Sequence, residues 1–278
     1  MTPQVLLLLT LLFALRPSVF AASPWAGLES TLGRPGMTVG NGTWFEFPRT
    51  DLNILVQGVP LDARGMLISR VSFSQEDKGL RMEACLFILE SETGRVLAQA
   101  ARNGLKVIGL YSPFPQASPE VRCLRLGGLG PPKELAWRLK LVLDSTGTPM
   151  TLGTPSPRPT AQKDPWADAR AALGAGQEEG EDLLYQWGDF PLELRVTLQK
   201  EGNDLVLWGE FQALPQKADE WVKALSQKGF QVTTVTRRND ERPGVWIDFW
   251  CLNDEKKAIK SLASLLKDPG FASGVSAP

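Results

Sequence analysis

Glu90 and Glu92 stand one residue apart at the head of a predicted helix. Carboxylates so placed either stabilise the helix N-terminus through its macrodipole or, with a backbone carbonyl, begin a hard-cation site. The first reading needs no further ligand, and none is in view for the second. Tyr111 and Arg125 lie in two predicted strands, where they line a cleft or pair across a sheet edge. Histidine is absent from all 278 residues. That removes Ser/His/Asp and Cys/His nucleophile activation, His-ligated zinc and any imidazole pH switch. Carboxylate, Lys, Tyr and Cys chemistry stay open.

The three cysteines, Cys85, Cys123 and Cys251, contain no CxxC pair, so a Cys-only zinc or redox motif is not expected. Cys85 and Cys123 fall in strands of one half of the chain and form a disulfide if those strands are neighbours. As small buried apolar residues they serve equally well. No catalytic residue, metal or cofactor is assigned. Among nine tryptophans, Trp246 and Trp250 share one face of a strand and Phe249 takes the other. Exposed, that pair would be a platform for a sugar or peptide; covered, it is core or module contact. Lys+Arg number 30 and Asp+Glu 31, so no positive field is available to gather nucleic acid.

The elements that must position these residues come in two sets. Ser23-Pro24-Trp25-Ala26 recurs as Asp164-Pro165-Trp166-Ala167, and Leu32-Gly33 as Leu173-Gly174. Each reads as a short helix with Pro at its start and Gly at its end. Further on, Val71, Phe73, Met82 and Leu89 map onto Val196, Leu198, Leu207 and Leu214 at a smaller offset. The second copy has therefore lost about sixteen residues, expected to be a strand within roughly Asp51 to Arg70. Leu55–Val59, Leu67–Phe73, Met82–Leu89, Leu105–Tyr111 and Val121–Leu126 read as strands, with helical stripes after Val96 and after Leu135. The β-β-α-β-β-α order implies an α+β fold of two tandem ferredoxin-like α/β sandwich modules, each a mostly antiparallel sheet with helices on one face. The modules are expected at residues 23–149 and 164–268 and to pack on each other. Residues 150–163 form a linker and 269–278 a flexible tail.

Val5 to Leu15 is an apolar run broken only by Thr10, followed by Val19-x-Ala21. This is the pattern of a cleaved export signal over residues 1–22, too short to span a bilayer comfortably. No other apolar run approaches membrane length. The mature chain is therefore expected without a transmembrane segment, periplasmic or secreted, with an extracytoplasmic ligand or protein as partner.

The first copy resembles the LppY/LpqO family of exported bacterial proteins, a domain family without an established biochemical function. The likeness runs through Leu32-Gly33-Arg34-Pro35-Gly36, Phe47-Pro48-Arg49-Thr50-Asp51-Leu52, Gly58-Val59-Pro60 and Leu89-Glu90-Ser91-Glu92. It continues in Asn103-Gly104-Leu105-Lys106-Val107 and Leu143-Asp144-Ser145-Thr146-Gly147-Thr148-Pro149. The family usually carries His-Asn-His where this chain has Tyr111-Ser112-Pro113, another histidine on or near Arg125, and an acidic residue at Cys85. Of that polar set Glu90 and Glu92 persist. The resemblance thus implies fold and export, with Glu90, Glu92, Tyr111 and Arg125 as a residual pocket. The resulting expectation is a non-catalytic binding or scaffold module. The alternatives are a histidine-independent hydrolase-type enzyme using Glu90, Glu92 or Tyr111, and a carbohydrate- or peptide-binding surface around Trp246 and Trp250.

Overall fold

A computed structural model describes residues 25–39, 42–151, 164–179, 181–187, 194–237 and 244–267. The expected export signal, most of the linker and the tail lie outside them. In the first half, α1 (Ala26–Leu32) precedes strands β1 (Met37–Val39), β2 (Gly42–Pro48), β3 (Leu55–Val56), β4 (Val59–Pro60), β5 (Ile68–Glu76) and β6 (Gly79–Leu89). A 3-10 turn at Glu90–Glu92 leads into α2 (Thr93–Arg102). Strands β7 (Lys106–Tyr111), β8 (Ala117–Ser118) and β9 (Val121–Gly130) and helix α3 (Pro132–Leu143) follow. The second half runs α4 (Ala167–Leu173), β10 (Gln177–Glu179), β11 (Asp182–Trp187), β12 (Leu194–Glu201) and β13 (Asp204–Ala213). Then come α5 (Ala218–Gln227), β14 (Gln231–Arg237), β15 (Val245–Asp254) and α6 (Glu255–Leu266).

The two main sheets have six strands each, ordered β1-β2-β5-β6-β9-β7 and β10-β11-β12-β13-β15-β14, and every pairing is antiparallel. The fold class is α+β, as the period-two and helical stripes imply. The repeat extends to irregularities. Where β7 pairs with β9 the register slips between Val107 and Gly109, and where β14 pairs with β15 it slips between Val232 and Thr234. A bulge kept at one place in both halves re-aims the residues beside it.

Alternation decides which side chains face which layer. In β2, Thr43, Phe45 and Phe47 are buried while Trp44 and Glu46 are half-buried. Phe45 and Phe73 meet edge to face with Val71, Met82 and Leu126 under Leu28, Val96 and Leu135 of the helices. The second half repeats this with Val196, Leu207 and Phe249 beneath Trp166, Trp221 and Leu262. A Cβ on Gly209 would come within 2.1 Å of the Phe249 ring, so that ring occupies the space a side chain would take. The opposite face of β6, β9, β13 and β15 is buried too. Phe87, Phe114, Trp208 and Trp250 form one cluster there with Leu52, Ile54, Val56 and Leu61.

Two expectations need correction. The strand expected at Leu55–Val59 is not in the main sheet: β3 and β4 are two-residue strands that form a separate small sheet, ordered β4-β3-β8. Its expected place is held by β2, hairpin-paired to β1. Consequently the second half has lost no main-sheet strand. What differs is the length of chain between the corresponding strands, residues 49–67 between β2 and β5 against residues 188–193, outside the described residues, between β11 and β12. Strands of two or three residues carry no readable period, and this hid the nature of the deletion. The seven residues of β2 do carry the period and escaped the sequence reading.

Candidate functional site

The four residues singled out as a residual pocket lie in three places. Glu92 is buried and fully engaged. Its carboxylate accepts from Arg49 Nη1 at 3.0 Å and Nη2 at 3.2 Å, from the Leu89 amide at 2.9 Å and from the Gly147 amide at 2.8 Å. Arg49, 0% exposed, also donates to both Asp51 oxygens and to the Phe87 carbonyl. The runs at Phe47–Leu52, Leu89–Glu92 and Asp144–Gly147 thus meet at one ion pair that joins the end of β2, the start of α2 and the exit from α3. Arg49 lies within one of the short runs that carry the family resemblance, Phe47-Pro48-Arg49-Thr50-Asp51-Leu52, but nothing in that run names its partner. Glu90 points away, exposed, toward Arg122 at 3.8 Å beside Glu120, along a separate open groove.

Tyr111 and Arg125 do come together, and they bring residues of the other half. Arg125 Nε donates to the Tyr111 hydroxyl, and Nη2 donates to Glu210 Oε2 at 2.6 Å and stands 3.9 Å from Asp248. Its guanidinium carbon lies 3.9 Å from the centroid of the Trp246 ring, a cation–π contact in a desolvated place. Burial alone would favour neutral groups here, and the charges decide otherwise for two of them. Burial works to lower the Arg125 pKa, but Tyr111, Glu210 and Asp248 around it raise it overall. For Glu210, burial pushes up, and Arg125, Arg195 and Arg70 outweigh it to hold the carboxyl low. Asp248 goes the other way. Burial pushes its carboxyl up to about 7 despite Arg125. Neither Asp248 oxygen has a hydrogen bond of ordinary geometry, although the Tyr111 and Thr234 hydroxyls are near enough to lower its pKa somewhat. Burial likewise lifts the Tyr111 phenol well above its ordinary value.

Glu210 and Asp248 escaped the sequence reading, and strand register shows what they are. Ala84 in β6 pairs with Leu126, as Gly209 in β13 pairs with Phe249. Continuing each ladder, Cys85 opposite Arg125 corresponds to Glu210 opposite Asp248. Each half therefore contributes one cross-strand pair at the same position, and the two pairs meet. A constant offset from Cys85 would have located Glu210. Asp248 needed the changed offset in the last strand, which only the ladder reveals.

Trp246 and Trp250 do not form an exposed platform: they are 7% and 1% exposed. Trp246 lies under Arg125, and Trp250 packs edge to face on Phe114 at 5.8 Å. Their shared face of β15 is the one closed by the buried cluster. Cys85 and Cys123 are joined by a disulfide across β6 and β9 with Cα atoms 5.8 Å apart, and Cys251 is a buried free thiol. Beside the Arg125 cluster a cleft of about 50 Å³ is lined by Trp44, Arg70, Glu83, Arg195, Glu210 and Trp246, among others. Organic-substrate sites are usually about 300–1,000 Å³. Among the described residues no three of His, Cys, Asp and Glu gather as metal ligands would, and no helix is long and apolar enough to cross a membrane.

These features define a mixed α+β protein of two like halves around a buried arginine–carboxylate cluster. Residues 26–145, the span from α1 to just beyond α3, match the model of a Domain of Unknown Function (DUF1259). No curated protein matches the chain. Among solved structures, a trimeric bacterial microcompartment shell protein, PduB, aligns over 83% of this chain and 89% of its own at 10% identity, with a TM-score of 0.23. Nothing follows for this chain from a likeness of that size.

Proposed function

We propose that this is an exported, non-catalytic binding or scaffold protein in which an LppY/LpqO-like module has been duplicated and its polar centre turned into an internal ion cluster. The observation that carries this reading is Arg125. It stands where the resembled family has a histidine, and its guanidinium is committed to Tyr111, Glu210 and the face of Trp246. A cation held by its own protein on each side takes the place a metal or a proton-transferring imidazole would need. The same contacts, with Gln199 bonding Pro60 and Asp62, support the two modules acting as one packed unit. The apolar run Val5–Leu15 supports export, as does the Cys85–Cys123 disulfide, because disulfides persist in oxidising compartments.

A hydrolase-type reading through Glu90, Glu92 and Tyr111 lacks a common pocket. Glu92 is spent on Arg49, and a phenol raised by burial is a poor base or nucleophile near neutral pH. Metal analysis of full-length protein purified without chelator tests the proposal. Transition metal well below one equivalent is expected, and stoichiometric tight zinc or another transition metal would overturn it.

A further inference from the structure

We propose that the cluster of Tyr111, Arg125, Glu210 and Asp248 is a proton-operated latch, which holds edge strands β7 and β14 together while Asp248 keeps its proton and lets them part when the proton is lost. The strands it joins are weakly anchored. Each is the last of its sheet and bonds to a neighbour along one side only. No residue of β7 is wholly buried and in β14 only Thr234 is, whereas β6 and β13 lie inside their sheets and are mostly buried. Each edge strand also slips in register, which interrupts its ladder. The two edges touch across the halves, where a Cβ on Gly109 would come within 3.1 Å of the Thr236 methyl. Segments with one ladder and little buried surface open at lower free energy than a core.

What closes this seam is charge. Tyr111, at the end of β7, accepts from Arg125 Nε, and Arg125 Nη2 reaches Glu210 of the other half at 2.6 Å. Asp248 beside them is 0% exposed, and neither of its oxygens has a hydrogen bond of ordinary geometry. It stands 3.9 Å from Arg125, which is already committed to Glu210. Two buried carboxylates around one cation resist ionising together, and the one further from the cation keeps the proton. The remaining groups leave Asp248 as the one that titrates. From β14 comes the neutral Thr234, and from β6 Cys85, uncharged in its disulfide, with Glu83 two residues along the same face. Arg195 of β12 and Arg70 of β5 act on Glu210, and Arg70 is also paired with Glu46. The Tyr111 phenol, lifted by burial, stays protonated through the neutral range.

Parting β7 from β14 lifts Tyr111 and Thr234 off Asp248 and lets water reach it. In the closed seam burial pushes the Asp248 carboxyl up to about 7, and in water it returns to an ordinary 3.8. Between those values the closed form binds more protons, so rising pH favours opening and acid closes the seam. The charge change is one carboxylate, and the element it biases is a pair of edge strands.

The test is amide hydrogen exchange of the full-length protein from about pH 5 to 8, expressed as protection relative to unstructured rates. Protection in β7 and β14 is expected to be lower than in β6 and β13. It should fall about tenfold per unit between roughly pH 5 and 6.5 and level off above about 7. Asp248→Asn, which cannot ionise, should remove that slope. The Asp248 carboxyl carbon, followed by NMR in the wild type, should titrate near 7 whether or not Asp248→Asn folds. Glu210→Gln should lower that midpoint, because it ends the competition for Arg125. Several results would each overturn the latch. They are protection in β7 and β14 that ignores pH or equals that of β6 and β13, and a slope kept in Asp248→Asn. An Asp248 midpoint near 3.8, or one unmoved by Glu210→Gln, does the same. Metal content is read separately, so failure here leaves the non-catalytic reading standing.

Discussion

Arg125 is the residue on which the centre of the molecule depends. It is the cation nearest two buried carboxylates, and replacing it by methionine leaves Glu210 with only the more distant Arg195 and Arg70 and takes away the cation beside Asp248. Breaking a buried ion pair from one side typically costs about 3–5 kcal/mol. Arg125→Met should therefore lower unfolding stability by about that much, read from urea midpoints at pH 7. Asp248 makes a separate prediction. Folded, its carboxyl keeps its proton up to about 7 against an ordinary 3.8 when unfolded. Between those values the folded state binds more protons, so stability falls as pH rises through that window. Glu210, held below its ordinary 4.5, adds stability that is lost only as pH drops under that value. Urea midpoints across pH 5 to 7 should thus decline with pH in the wild type and flatten in Asp248→Asn; an equal slope in both would rule out this role for Asp248. The residues that matched short motifs proved legible and structural at once. Glu92 and Arg49 were within reach of the sequence, but their mutual contact was not, because 43 residues separate them.

At the scale of elements, the excursion from Arg49 to Leu67 is the main asymmetry between the halves. It is held on the second half by Gln199, which is 7% exposed and donates and accepts one bond each with Pro60 and Asp62. Gln199→Ala would remove both bonds to partners that are not fully buried, at about 0.5–1.5 kcal/mol each. The expected result is a lower denaturation midpoint with faster amide exchange at Asp62, while β5 and β6 keep their protection. Uniform loss of protection across the first half would show that the excursion is not held locally. The sequence placed this deletion within a few residues, since offsets count residues faithfully. It could not say that the difference in length falls in a loop with two-residue strands rather than in a sheet strand. Such strands are defined by their pairing partners, and β3 finds one in β8, far along the chain.

For the whole molecule, the Cys85–Cys123 bridge closes a loop of 38 residues. In the loop-entropy account that is worth about 3–4 kcal/mol. Reduction should lower stability by that order. With the bridge intact, tryptophan fluorescence and far-UV circular dichroism should report one unfolding transition, because Phe87 and Phe114 of one half share a cluster with Trp208 and Trp250 of the other. Two separated transitions would mean that the halves fold independently. The duplication, the α+β class and the core faces were written in the sequence itself. Periodicity and offset are local properties, and each strand or helix buries the stripe that its own residues present. Only the tertiary structure decided what happens where the second faces of the sheets are buried. There Arg125 finds Glu210, Asp248 and Trp246, which lie more than eighty residues away. Whether a buried charge is a reactive group or an internal pair depends on which partners burial brings within reach, and no spacing along the chain encodes that distance.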